Sequence, residues 1–176
     1  MRAFCRELGN KIAPLIGAKT GEVVVVDSTS VNLFKVLTSA LLLNKNRRVI
    51  VSEAENFPSD LYILEGVNKM FGESYERHLI EEGNYEIDKY IDTSTAVVML
   101  SHVNYKTGLI SDIKRITSIA HEKGALVIWD LSHSVGVMQL YLHDCGVDFA
   151  VGCTYKHLNG GPGAPGFLYV HKSLIK

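Results

Sequence analysis

The 176-residue sequence lacks a long apolar run and an excess of charge of either sign. Polar residues interrupt its apolar segments every few positions, whereas a membrane-spanning helix needs about 20 consecutive apolar residues. Its 18 Lys and Arg residues nearly balance its 19 Asp and Glu residues, so no basic surface of the kind that binds nucleic acid is predicted. We therefore expect neither a membrane nor a nucleic acid as partner, but a small molecule.

Cysteines and histidines are few, and neither shows metal-ligand spacing. Cys5, Cys145 and Cys153 are odd in number, and no signal-like apolar segment begins the chain. A reduced, cytoplasmic protein without a metal site is therefore predicted. His102 is the histidine of most interest, because its loop follows a predicted strand and could contact a substrate.

Short β-branched runs alternate with segments of helical periodicity along the chain. The strands are apolar on both faces, as in VVVV (23–26) and LVIW (126–129). This order predicts one α/β domain over 1–176, with a mostly parallel sheet and helices on both of its faces. The predicted strands are 22–27, 48–52, 96–100, 126–130, 149–153 and 167–171, and the predicted helices are 2–12, 31–43, 59–71 and 112–123.

Ligands of such a sheet bind beyond the carboxyl ends of its strands, so the residues directly after strands are the informative ones. In DSTSVN (27–32), three hydroxyls lie beside the free N–H groups of a helix start and could bind a phosphate. The same residues are also favoured there simply as helix N-caps. In ENFPSD (55–60), Phe57 could stack on a flat cofactor with Asp60 facing the site, or the segment could merely open a helix.

Two further segments carry an acid and a lysine. Asp130 ends a buried strand, where a carboxylate is costly unless it is paired with a cation such as a protonated pyridine nitrogen. Alternatively, Asp130 bonds to turn amides and His133 is a satisfied core residue. Lys156 directly follows an apolar strand and could form an imine with a carbonyl group, although a lone lysine in this place is usually a solvated loop residue. The order of hydroxyls, aromatic ring, acid and lysine favours the cofactor interpretation.

Five segments together resemble a known family in order and spacing: DSTSVNLFK, ENFPSD, SHVNYKTG, WDLSHSVGV and LHDCGVDFAVGCTYKHLNGGPGAPGFLYV. They cover most of the chain, which is similar to the aminotransferase class V group of fold-type I enzymes that use pyridoxal 5′-phosphate (PLP). Within that group it resembles the kynureninase family. The segment YKHLN is the most specific, because cysteine desulfurases of the group usually carry a histidine before the lysine and Gly-Pro shortly after it.

The resemblance implies a role for each matching residue. Lys156 would hold PLP covalently and remove the α proton of the substrate. Asp130 would bind the pyridine nitrogen, with His133 near the ring and Phe57 stacked on the cofactor face. Tyr155 would contact the phosphate and be a proton donor.

Further residues at the implied site are Thr29 and Ser30, which would bind the phosphate, and Asp60 and Ser101, which would line the site. The implied large domain is incomplete at both ends here, because chains of the family extend well beyond residue 176 into a C-terminal small domain. Those parts supply a tryptophan and a further phosphate contact, and the family's homodimers build their sites across the interface.

The reaction implied is hydrolysis of the Cβ–Cγ bond of L-kynurenine, or of its 3-hydroxy form, to anthranilate or 3-hydroxyanthranilate and L-alanine. This reaction belongs to tryptophan catabolism and NAD biosynthesis. Two alternatives stay open: another enzyme of the group, such as a cysteine desulfurase or lyase, and a non-catalytic remnant. A desulfurase would have to receive its mobile reactive cysteine from the C-terminal part beyond residue 176, because Cys153 lies inside a predicted buried strand.

Overall fold

The computed structural model describes residues 2–81 and 86–175. Its helices and strands alternate along most of the chain, in the order that the hydrophobic periodicity predicts. The helices are α1 (Arg2–Ile12), α2 (Thr29–Leu43), α3 (Pro58–Met70) and α4 (Ile113–Glu122), with 3-10 turns at Ala13–Ile16, Ile87–Lys89 and Lys172–Leu174. The strands are β1 (Val23–Val25), β2 (Val49–Glu53), β3 (Glu76–Ile80), β4 (Thr95–Ser101), β5 (Leu126–Asp130), β6 (Phe149–Cys153) and β7 (Gly166–Val170).

All seven strands form one sheet in the order β1-β7-β6-β5-β4-β2-β3. Neighbouring strands from β6 to β3 are parallel, whereas β7 pairs antiparallel with both β6 and β1. Two buried apolar clusters lie on the two faces of the sheet. One cluster includes residues of α1 and α4, and the other includes residues of α2 and α3. The predicted mostly parallel sheet between two layers of helices is therefore confirmed.

The helix ends are explained by local sequence chemistry. Asp112 caps α4 by accepting a hydrogen bond from the backbone N–H of Arg115 at 2.9 Å, and the helix is followed by Gly124 with φ of +76°. Pro58 occupies the first turn of α3, where its missing N–H costs nothing. None of the helices in 2–81 or 86–175 is long and apolar enough to cross a membrane.

The structure differs from the predicted elements in two places. Strand β1 covers only 23–25 of the predicted 22–27, because the chain leaves the sheet at Asp27, which has φ of +48°. Strand β3 was not predicted, because its residues Glu76 to Leu79 are mostly polar and only partly buried at the edge of the sheet. An edge strand pairs with one neighbour and needs no apolar face of its own.

Gly166 brings the start of β7 against the start of α2. An added Cβ at this position would lie 2.9 Å from the backbone nitrogen of Thr29 and 3.0 Å from the carbonyl oxygen of Gly152. Backbone atoms on both sides leave no room for relaxation, so glycine is required here for close packing rather than for an unusual φ.

We predict opposite effects for two Gly→Ala changes. Gly166→Ala should lower the free energy of unfolding by about 2 kcal/mol, because the new methyl group collides with backbone. Gly66→Ala, at an exposed position within α3 with open space around it, should raise the free energy by about 0.5 to 1 kcal/mol. Urea unfolding of both variants measures this, and equal effects would show that close packing at Gly166 is not limiting.

Candidate active site

A cavity of about 130 Å³ lies beyond the carboxyl ends of the parallel strands, between the starts of α2 and α3. Its walls come from four separate stretches of chain, each of which comes directly after a strand. The topology therefore brings together residues that are far apart in sequence. The residues that line it are Ser28, Thr29, Ser30, Phe57, Ser59, Asp60, Asp130, Ser132, His133, Tyr155 and Lys156.

The amine of Lys156 is in direct contact with His133. Its Nζ lies 2.8 Å from His133 Nε2, and 5.5 Å and 5.7 Å from the ring centroids of Phe57 and Tyr155. Burial and the charge of Lys156 lower the pKa of His133. The imidazole is therefore held in its neutral form, in which an unprotonated Nε2 can accept a hydrogen bond from the lysine amine.

The carboxylate of Asp130 lies at the end of β5 and is buried. It accepts hydrogen bonds from the backbone N–H of Ser132 at 2.9 Å and from its hydroxyl at 2.6 Å. Within the described part of the chain, both bonds end on Oδ1, which leaves Oδ2 for a donor in the cavity. Burial raises the pKa of Asp130, while the bonds from Ser132 and the charges of His133 and Lys156 oppose the rise.

Asp60 lies in the first turn of α3, faces the same cavity and is 2% exposed. Its Oδ1 accepts one hydrogen bond, from the Ser59 hydroxyl at 3.3 Å. Burial, with the nearby charge of Asp130 added, raises the pKa of Asp60 to about 8. Asp130 receives the shorter hydrogen bonds, 2.6 and 2.9 Å against 3.3 Å for Asp60, and these bonds favour its charged form more than the bond from Ser59 favours that of Asp60.

The start of α2 forms the wall opposite these acids. Ser28 caps the helix, with its Oγ accepting a hydrogen bond from Val31 N–H at 3.3 Å. In 2–81 and 86–175, the hydroxyls of Thr29 and Ser30 make no side-chain hydrogen bond, although both residues line the cavity. The N-cap and the anion-binding interpretations are thus compatible, because Ser28 caps the helix while the hydroxyls of Thr29 and Ser30 are left for an anion in the cavity.

Three rings contact one another at the mouth of the site. The Phe57 ring lies 5.2 Å from Tyr105, edge to face, and 6.3 Å from His133. Tyr105 is stacked on His133 at 6.4 Å. Tyr105 belongs to the loop SHVNYKTG and was not among the predicted site residues. The bridge between Val103 and Ile110 places it there, and this pairing was not evident from sequence.

Ser101 and His102 lie outside the lining of this cavity, so a contact of either residue with a cofactor or substrate stays a prediction. The Ser101 hydroxyl donates a hydrogen bond to Asn56 Oδ1 at 2.8 Å, and Ser101 does not line the cavity. His102 is buried with its ring edge-on to Trp129, at 6.3 Å between centroids. Successive strand residues point to opposite faces of a sheet, so His102 lies on the face away from the cavity.

A larger cavity, of about 610 Å³, lies against α4, Glu53 and Arg115. Burial raises the pKa of Glu53 to about 7. Among the lining residues that the structure describes there is no lysine. The described residues that line this cavity thus offer no amine to a carbonyl cofactor.

Glu22, His143 and His171 place nitrogen and oxygen atoms within 4.8 Å of one another, a grouping that their spacing did not predict. Glu22 already accepts hydrogen bonds from the backbone N–H groups of Lys19 and Lys172 and contacts His143 Nδ1 at 2.8 Å. The two imidazoles are stacked at 4.7 Å with 23° between their planes. Nearly parallel rings do not direct their nitrogen lone pairs at one point, so this cluster suits a structural contact better than a metal ion.

The chain matches the family model of class V aminotransferases over residues 3–176. It is 52% identical to the kynureninase of Pseudomonas fluorescens over 177 residues, which cover 98% of this chain and 42% of the relative. It is 47% identical to the kynureninase of Burkholderia pseudomallei strain K96243 over 174 residues, with coverage of 97% and 42%. The chain thus spans less than half the length of these relatives.

Solved structures show the same fold. A cysteine desulfurase from Thermococcus onnurineus NA1 is similar with a TM-score of 0.80 at 28% identity, over 97% of this chain and 43% of that one. A ureidoglycine-glyoxylate aminotransferase from Bacillus subtilis has a TM-score of 0.77 at 18% identity, over 97% and 44%. The second likeness shows the fold alone.

The raised pKa of Asp60 predicts how stability depends on pH. Between the ordinary value of 3.8 and about 8, the unfolded chain has released this proton and the folded chain retains it. Raising the pH therefore favours unfolding, by up to about 1 kcal/mol per pH unit. Asp60→Asn should flatten this slope in urea unfolding of the cofactor-free chain.

Asp144→Asn is the matched control, because it removes the same charge from an exposed side chain. It should leave the slope as it is in the unchanged chain. If Asp60→Asn and Asp144→Asn gave the same slope, Asp60 would not retain a proton in the folded state.

Proposed function

The chain belongs to the aminotransferase class V family, and on that premise we propose that it forms the PLP-binding part of a hydrolase that cleaves the Cβ–Cγ bond of L-kynurenine or 3-hydroxykynurenine. The products are anthranilate or 3-hydroxyanthranilate and L-alanine. Similarity to two kynureninases at 47% and 52% identity supports the substrate class. The observation that carries the proposal is the Lys156 amine in one cavity with the buried carboxylate of Asp130.

The residues of the cavity fit PLP. Asp130 Oδ2 is available to accept a hydrogen bond from a protonated pyridine nitrogen, and the cation would compensate for burial of the carboxylate. The hydroxyls of Thr29 and Ser30, together with the start of α2, suit the phosphate. When bound, PLP supplies a conjugated cation that accepts the electron pair released at the substrate α carbon.

Lys156 and His133 lie where the substrate side of the site would be. Lys156 would hold the cofactor through Nζ, and its amine is the group placed to take the α proton of the substrate. His133 Nε2, at 2.8 Å from Nζ, can accept a hydrogen bond from the lysine and so orient the amine that would act as the base. A base of this kind contributes roughly 10²- to 10⁴-fold to the rate.

Tyr155 and Asp60 are the proton donors in this proposal. Burial raises the pKa of Tyr155, so its hydroxyl keeps its proton at neutral pH. Asp60 is protonated up to a pH of about 8. Cleavage of a carbon–carbon bond next to a carbonyl needs a donor for the carbon that leaves with the electron pair, as well as a base that activates water.

A cysteine desulfurase is the second candidate, because one with a known structure shares this fold at 28% identity. Such an enzyme needs a mobile cysteine thiol. Cys153 ends β6, an interior strand of the sheet; it is 1% exposed, and its Sγ lies 3.7 Å from the carbonyl oxygen of Ser132. Cys5 and Cys145 do not line the cavity. Among the described residues, no cysteine is placed for this role.

The remaining expectations belong to the same proposal. The chain would be one α/β domain of a larger cytoplasmic protein, which forms a homodimer. Sites of this kind are completed by residues from outside 1–176. A remnant that binds PLP without turnover is the outcome that would replace the enzymatic proposal.

The substrate is tested by incubating the complete gene product with PLP and L-kynurenine and measuring the fluorescence of anthranilate. Lys156→Ala should reduce the rate by at least about a thousandfold, because both the covalent attachment and the base are lost. Lys45→Ala, a change at an exposed lysine away from the cavity, should not reduce it.

The competing outcomes are distinct. Sulfur released from cysteine without anthranilate from kynurenine would establish the desulfurase instead. PLP bound with no turnover of either substrate would indicate the non-catalytic remnant.

A further inference from the structure

We infer that Asn56 is a positioning residue for the cofactor site, which fixes Phe57 and the first turn of α3 against the ends of β2 and β4. This inference rests on the proposed binding of PLP. Asn56 does not line the cavity, so it would act only through the residues that it positions.

Asn56 is 3% exposed, and both ends of its side-chain amide are hydrogen-bonded. Its Oδ1 accepts hydrogen bonds from the backbone N–H of Phe57 at 2.7 Å and from the Ser101 hydroxyl at 2.8 Å. Its Nδ2 donates to Ser52 Oγ at 3.2 Å, and Ser52 in turn donates to the carbonyl oxygen of Met99 at 2.8 Å. One amide thus joins the ends of two neighbouring strands to the loop before α3.

Besides the contacts of its ring with Tyr105 and His133, Phe57 is positioned by hydrogen bonds of its backbone, one of them to this amide. It is the N-cap residue of α3 but has no polar side-chain atom with which to cap the helix. Its ring is only partly buried, so apolar packing does not fix its position alone. The bond from its N–H to Asn56 Oδ1 fixes the backbone, and its carbonyl oxygen accepts from Asp60 N–H at 2.9 Å.

A displacement of Phe57 would alter the cavity in two ways. The ring lies 5.5 Å from Lys156 Nζ and 6.3 Å from the His133 ring, so its shift changes the face against which a flat cofactor stacks. The same shift moves Asp60, which is bonded to the Phe57 carbonyl group. The buried serines of this network, Ser52 and Ser101, therefore act on the site through Asn56.

The inference is tested by comparing Asn56→Ala with Asn68→Ala in the complete gene product. Asn68 is also buried, and its amide also binds backbone, donating to Tyr75 O and accepting from Tyr75 N at 3.0 Å each. It lies near the far end of α3 and away from the cavity. The two variants should lose similar stability, as measured by urea unfolding without cofactor.

Only Asn56→Ala should affect the cofactor. Titration with PLP, monitored through the visible absorbance of the bound form, should show a Kd about tenfold weaker, because roughly one buried hydrogen bond that orders the site is lost. Near-ultraviolet and visible circular dichroism of the bound cofactor should change as well. Asn68→Ala should leave both the Kd and the dichroism unchanged.

Ser101→Ala is the second test, to be used if Asn56→Ala does not fold. It removes the hydrogen bond that the Ser101 hydroxyl donates to Asn56 Oδ1 and keeps the bond between Asn56 and Phe57. It should weaken PLP binding by a smaller factor, and Ser101→Thr, which restores the hydroxyl, should recover it. Unchanged PLP affinity in Ser101→Ala and Asn56→Ala would overturn the positioning role while leaving the proposed function intact. If the unchanged protein did not bind PLP, the proposed function would fail first and this inference with it.

Discussion

The buried carboxylate of Asp130 is the constraint on which the site depends. It stands at the end of a strand whose neighbours on both sides are also buried, where an unpaired charge costs several kcal/mol. Ser132 bonds satisfy only one of its oxygens. The second oxygen needs a donor or a positive charge nearby. The Lys156 amine and a protonated ligand nitrogen are the groups that would compensate for the charge of Asp130.

The other titratable groups are arranged around this charge. Asp60 retains a proton because it is buried and Asp130 is nearby, and His133 is kept neutral by burial and by Lys156. Two carboxyl groups, an imidazole and an amine therefore share a space of about 130 Å³. Groups whose environments move their pKa values apart can act as acid and base at the same pH.

The sequence predicted six of the seven strands and most of the residues that line the cavity, for physical reasons. A strand such as LVIW, which is apolar on both faces, is stable only in a sheet whose two faces are both covered by helices. Parallel strands also bring the loops at their carboxyl ends to one edge of the sheet. Asn56 was not predicted, because its role depends on Ser101 and Ser52, which reach it through strand pairing. The sequence also did not indicate that His102 packs against Trp129, since one step along a strand reverses the face to which a side chain points.

The central claim is that Lys156 is the residue that binds PLP covalently. Its most direct test is reduction of the PLP-treated protein with borohydride, which makes an imine permanent, and then peptide mass spectrometry. The account predicts a single phosphopyridoxyl group on the peptide that contains Tyr155, Lys156 and His157. A reduced adduct on another lysine, or none on any peptide, would contradict it.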